Sequence, residues 1–102
     1  MAKYVFLYGG GQMAATDAER AAQTQKWMAW FGTLGSAVVD GGNPFGGRKS
    51  VSSRGVGDAA SDVGGYSVVQ AGSLDAAAQL AKGCPVLESG GRVDVLETID
   101  IM

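Results

Sequence analysis

The chain is predicted to be a single α+β domain in which two strand–helix–strand halves interleave into one antiparallel sheet. Three observations carry that prediction. The 102 residues make one domain's length, so residues 1–102 are read as one unit. β-type and helix-type segments alternate in two similar halves. The first strand is apolar on both of its sides.

Lys3 to Tyr8 (KYVFLY) is β-branched and aromatic and stops at Gly9-Gly10-Gly11. Alternation sends Tyr4, Phe6 and Tyr8 one way and Val5 and Leu7 the other. Thr16-Asp17-Ala18-Glu19 has capping-box spacing. The helix it opens carries Trp27, Trp30, Phe31 and Leu34 on one stripe, and Gly32 and Gly35 loosen its end. Ser36 to Asp40 reads as a second strand, closed by Gly41-Gly42-Asn43-Pro44. Residues 41–65 hold eight of the 17 glycines and are the least regular third, with a short solvated hairpin strand over Lys49 to Arg54. Gly65 to Ala71 is the next strand. Ser73 caps a helix whose stripe is Leu74, Ala77, Ala78 and Ala81, with Gly83 at the C-cap position. Val93 to Ile101 is the last strand, with Val93, Val95, Ile99 and Ile101 on one face.

This order fits a ferredoxin-like βαββαβ sheet with both helices on one face. The helices cover one face, yet the first strand is apolar on two. A second copy packing sheet against sheet would cover the other, giving a dimeric α/β barrel and making the chain its own partner.

Composition narrows the chemistry. A net charge of -2 supplies no basic field, so nucleic acid is not an expected partner. No apolar run approaches the roughly 20 residues of a bilayer span, so no membrane association is expected. With no histidine, Ser-His-Asp and Cys-His catalysis and histidine-ligated metal sites are excluded. One cysteine forms no disulfide within the chain and suits a reducing, cytoplasmic setting. No cofactor and no metal site are expected.

Five features are candidates for function. A pocket around Asp40, Asn43, Phe45 and Tyr66 would use Asp40 as hydrogen-bond acceptor or general base, Asn43 and Tyr66 to orient a ligand, and Phe45 as a wall. The structural alternative makes Asn43-Pro44 turn chemistry, Tyr66 core and Asp40 the end of a strand. Gly9 to Ala14 fits G-x-G-x-x-A after a strand, with Asp40 where a ribose-binding acid would sit, but the helix cap falls two residues late and the chain is short for a dinucleotide fold. Arg48, Lys49 and Arg54 suit an anion or a solvated strand edge. Cys84, beside Pro85, reads as a buried structural thiol. Trp27 and Trp30 read as core.

The stretch GGYSVVQAGSLDAAAQLAKGCPVLESGGRVDVLE, Gly64 to Glu97, resembles the C-terminal half of the YCII-related (DGPF-domain) family: a Gly-Gly-aromatic strand, a Ser-Leu-Asp helix, a Cys-Pro turn, a Gly-Gly loop and an acidic last strand. The opening KYVFLYGGG and the tryptophan helix fit as well. The resemblance implies a ferredoxin-like dimeric barrel. Three departures stand out. The DGPF tetrapeptide is absent, its slot falling near Ser53-Arg54-Gly55-Val56. Val86 follows Pro85, where some relatives have His. The His–Asp pair proposed for acid–base chemistry in the family has no counterpart, and Asp40 and Asp58 are the carboxylates nearest the variable middle. The reading is therefore a homodimer binding a small molecule between its sheet and the 41–65 region, with a non-enzymatic dimerisation or assembly module as the alternative and a nucleotide binder behind both.

Overall fold

The computed structural model describes residues 1–11 and 14–101. It is an α+β structure of six strands and two α-helices: β1 (Ala2–Gly10), α1 (Asp17–Leu34), β2 (Val38–Asp40), β3 (Lys49–Ser52), β4 (Gly55–Asp58), β5 (Val63–Ala71), α2 (Leu74–Ala81) and β6 (Gly91–Glu97). Four strands form an antiparallel sheet in the order β2-β5-β1-β6, and β3 and β4 pair separately as a hairpin.

The register fixes which side chains share a face. Tyr4, Phe6 and Tyr8 of β1 lie opposite Val69, Ser67 and Gly65 of β5, and opposite Glu97, Val95 and Val93 of β6. This face is buried. Phe6, Val69 and Ser67 are wholly inaccessible, and Trp30, Leu34, Ala77, Ala81 and Cys84 close over them from the helical layer. Phe6 stacks on Trp30 at 6.1 Å between ring centroids, and Tyr8 meets Trp27 edge-on at 4.8 Å. Each such aromatic contact adds about 0.5–1.5 kcal/mol to the burial itself.

Both helix starts follow the capping chemistry read from the sequence. The Thr16 hydroxyl accepts from the Glu19 N–H at 3.1 Å, and the Glu19 carboxylate accepts from the Ala15 N–H at 2.8 Å. Ser73 caps α2 by accepting from the Ala76 N–H. Only the C-terminal half of α1 lies on the sheet; Asp17 to Ala22 are exposed.

Four expectations are corrected. Gly83 is not a left-handed cap: α2 ends at Ala81 with Lys82 as its cap. A Cβ on Gly83 would sit 3.0 Å from the Trp30 ring, so close approach of the indole is what calls for glycine. The Trp30 Nε1 donates to the Leu80 carbonyl at 3.2 Å alongside it. The last strand ends at Glu97 rather than Ile101. β1 begins at Ala2, so past the bond from the Thr98 N–H to the Lys3 carbonyl no partner strand is left, and Ile99 and Ile101 are exposed. The second strand starts at Val38, because Gly35 to Ala37 form a 3-10 turn. The solvated hairpin strand expected over Lys49 to Arg54 is present as β3 but ends at Ser52, with a turn at Ser53-Arg54 before β4; Val51 lies opposite Val56 and both are exposed.

Phe6→Ala should lower the unfolding free energy by about 3–5 kcal/mol in guanidinium titration, because Trp30 cannot collapse into the space. Val51→Ala in the hairpin should stay within about 0.5 kcal/mol when measured in the same way.

Candidate functional site

At the end of the sheet where β1 runs into Gly9 and Gly10, the side chains of β5 become small: Gly64, Gly65 and Ser67. α1 crosses this end with its largest residues. Between them lies a cleft of about 610 Å3. Tyr8 and Ser67 form its floor, Trp27 and Phe31 one wall, and Gly42 and Pro44 the wall opposite, with Gln23 and Met28 at the rim.

The wall from 41 to 45 is held as an added edge to β5. The Phe45 N–H donates to the Gly64 carbonyl at 2.8 Å, the Tyr66 N–H donates to the Asn43 carbonyl at 3.3 Å, and Pro44 bridges to Gly65. Gly42 is required here. Its φ is +74°, and a Cβ would fall 1.7 Å from the Tyr66 carbonyl oxygen. From the floor, the Tyr8 hydroxyl donates to Ser67 Oγ at 2.8 Å and Ser67 Oγ donates to the Gly41 carbonyl at 2.7 Å. This chain of hydrogen bonds ties the wall to the centre of the sheet.

The geometry sorts the residues singled out from the sequence. Asn43 and Tyr66 border the cleft, Tyr66 where Gly42 crosses its carbonyl. Alternation places the Tyr66 ring opposite to buried Ser67, on the outer face of the sheet, where Phe45 stacks on it at 5.7 Å and 14°. Asp40 does not join them. It is exposed in β2, and its Oδ1 accepts from the Gly42 N–H at 2.8 Å, closing the turn that shapes the wall. Of the basic residues, Arg48 donates to the Ser61 and Val63 carbonyls at 2.7 Å each, and Lys49 pairs with Asp58 along the hairpin. The reading of Gly9 to Ala14 falls partly outside the described residues, at Gln12 and Met13; Gly9 and Gly10 pair with Arg92 and Gly91 in the sheet. Sequence reading missed Tyr8, Ser67 and Gln23. The spacing of Gln23, Trp27 and Phe31 at successive helical turns was the available signal.

Electrostatically the cleft is quiet. Burial holds the Tyr8 hydroxyl well above its ordinary range, against the opposing effect of its bond to Ser67. The chain from Tyr8 ends on a carbonyl, which can only accept, so it offers no route for a proton. Cys84 is buried in the core, and burial pushes its thiol up to about 11. One cluster of charge lies at the outer face of the sheet. There Arg92 grips Asp62 with two 2.8 Å bonds and reaches Asp94 at 3.3 Å. The hydrogen bonds from Arg92 hold the Asp62 carboxyl below the usual range. Among the described residues, no group of three His, Cys, Asp or Glu side chains is placed to hold a metal ion, and no helix is long and apolar enough to cross a membrane.

Two outcomes are expected. Ser67→Ala leaves the buried Tyr8 donor without its acceptor and should cost about 1–3 kcal/mol in denaturant titration. The pH dependence follows from the raised Cys84 and Tyr8 values, since the unfolded thiol titrates near its ordinary 9.0 and the folded one near 11. Stability from this source is fully present below pH 9 and is lost as pH rises through 11. The guanidinium midpoint should be level from pH 7 to 9 and fall above it, and Cys84→Ala should remove the part of the fall that begins below pH 10.

Compared with protein-family models, with curated proteins and with solved structures, the chain finds no significant match.

Proposed function

We propose that this chain is a homodimeric binding protein that holds a small molecule in the cleft between α1 and the 41–44 wall. The observation that carries the reading is a cleft of about 610 Å3 lined by aromatic and small residues, with no charged side chain among the described residues that line it. That size lies within the usual range for small-molecule sites. The chain of hydrogen bonds beneath it positions the wall without supplying an acid–base pair, which favours binding over catalysis.

The dimer rests on the outer face of the sheet. Leu96, Val5 and Val68 stand side by side across β6, β1 and β5, and the next row holds Asp94, Leu7 and Tyr66. Val39 and Leu96 are each 45% exposed. A monomer would leave this row in water, at about 25 cal/mol for each Å2 of apolar surface. A two-fold related copy would present the same row in return.

With the separate hairpin set aside, the strand order is second, third, first, fourth, with both helices on one face. This supports a ferredoxin-like arrangement and, on pairing, the α/β barrel implied by the YCII-related (DGPF-domain) resemblance. A reducing, cytoplasmic setting suits the single buried, free thiol.

Sedimentation equilibrium at micromolar concentration should give about twice the chain mass of 10.4 kDa. Val5→Glu should give the chain mass with an unchanged far-ultraviolet dichroism spectrum. A parent protein that sediments as a monomer overturns the dimer.

A further inference from the structure

We infer that the ligand of this cleft is a neutral, planar aromatic molecule, a specification that rests on the small-molecule reading above. Shape is the first ground. Trp27 and Phe31 stand along one wall, with ring centroids 6.0 Å apart and planes inclined at 36°, and Pro44 also lines the gap. Tyr8 meets Trp27 edge-on beneath them, so the floor is an aromatic surface as well. Flat rings of this kind take another flat ring in offset or edge-to-face contact.

Charge is the second ground. None of the described residues lining the cleft is Asp, Glu, Lys or Arg. Tyr8 holds its proton firmly, and both it and Ser67 are already engaged in hydrogen bonds. A carboxylate or ammonium placed here would lose its water and gain no counter-charge. The Gln23 carboxamide at the rim is a neutral donor and acceptor, and it lies one helical turn from Trp27, where it can meet a hydroxyl or carbonyl on the edge of a ring system. Met28 at the mouth is 68% exposed, and its flexible thioether can close over an apolar edge.

Four probes of similar size separate these grounds: 2-naphthol, 2-naphthoate, the 2-naphthylmethylammonium ion and trans-2-decalol, each titrated calorimetrically into the intact protein at pH 7. The naphthol should bind at one site per chain and at least tenfold more tightly than the other three. Trp27→Leu should weaken it at least tenfold. Met28→Lys changes an exposed rim residue, so the fold stays intact, and it should raise the affinity for 2-naphthoate at least fivefold. Equal or tighter binding of a charged or non-planar probe overturns the ligand class and leaves small-molecule binding standing. Saturable binding by none of the four overturns both. Naphthol binding unaltered in Trp27→Leu, together with naphthoate binding unaltered in Met28→Lys, removes the site from this cleft.

Discussion

β1 has to satisfy two environments at once, and the rest of the molecule is arranged around that constraint. Its aromatic side, Tyr4, Phe6 and Tyr8, is buried under the helical layer. Phe6 alone contributes about 1.5–3 kcal/mol by leaving water, and its stacking on Trp30 sets where α1 lies. Trp30 in turn sets where α2 ends, because its indole presses on Gly83 and donates to the Leu80 carbonyl. One strand therefore determines the position of both helices. Its aliphatic side, Val5 and Leu7, is then left with no helix to cover it, since both helices are committed to the aromatic side.

The cleft is a consequence of the same packing carried one step further along the sheet. Over Phe6 and Val69 the helix rests on large side chains and the space is filled. Beyond Tyr8 and Trp30, on which Trp27 and Phe31 pack, the β5 residues Gly64, Gly65 and Ser67 are too small to fill the space. The edge segment at 41–45 cannot move in to fill the gap, because it is fastened to the β5 backbone at Gly64 and Tyr66 and to Ser67 through Gly41. Close packing is the norm in protein interiors. A gap bounded by such fixed parts persists because closing it would break the pairing at the edge of the sheet.

The elements with strong periodicity were legible from the sequence. KYVFLY, the Thr16 and Ser73 caps and the tryptophan stripe each combine a hydrophobic pattern with a capping or breaking residue, and each lies where the sequence placed it. The site was legible only in part. Asn43 and Tyr66 do border the cleft, but residues 41–45 cross the edge of the sheet, which the sequence does not reveal. That crossing brings the Phe45 ring onto Tyr66 on the outer face, and the Asp40 carboxylate turns to the Gly42 amide. Alternation places Tyr8 on the same side of β1 as Tyr4 and Phe6 but does not say what that side meets. It is both core and floor, because the residue opposite it is Gly65, and that partnership depends on strand register. Ile99 and Ile101 show the opposite failure: their alternation is that of a strand, but the partner strand has run out.

The two surfaces that carry the functional reading are not independent. The floor of the cleft uses Tyr8, Gly65 and Ser67; the outer face at the same level uses Leu7 and Tyr66. These are alternate residues of the same two antiparallel strands, held in one register from Ala2–Ala71 to Tyr8–Gly65. A strand cannot shift one set of side chains without shifting the other, since successive residues point to opposite sides of one backbone. The stacked pair of Phe45 and Tyr66 extends the connection to the 41–45 wall, whose backbone shapes the cleft while its ring lies on the outer face. Any displacement of the outer face would therefore displace the wall and the floor with it. A second copy packed there would hold Phe45, and with it the whole wall, in the position that keeps the cleft open.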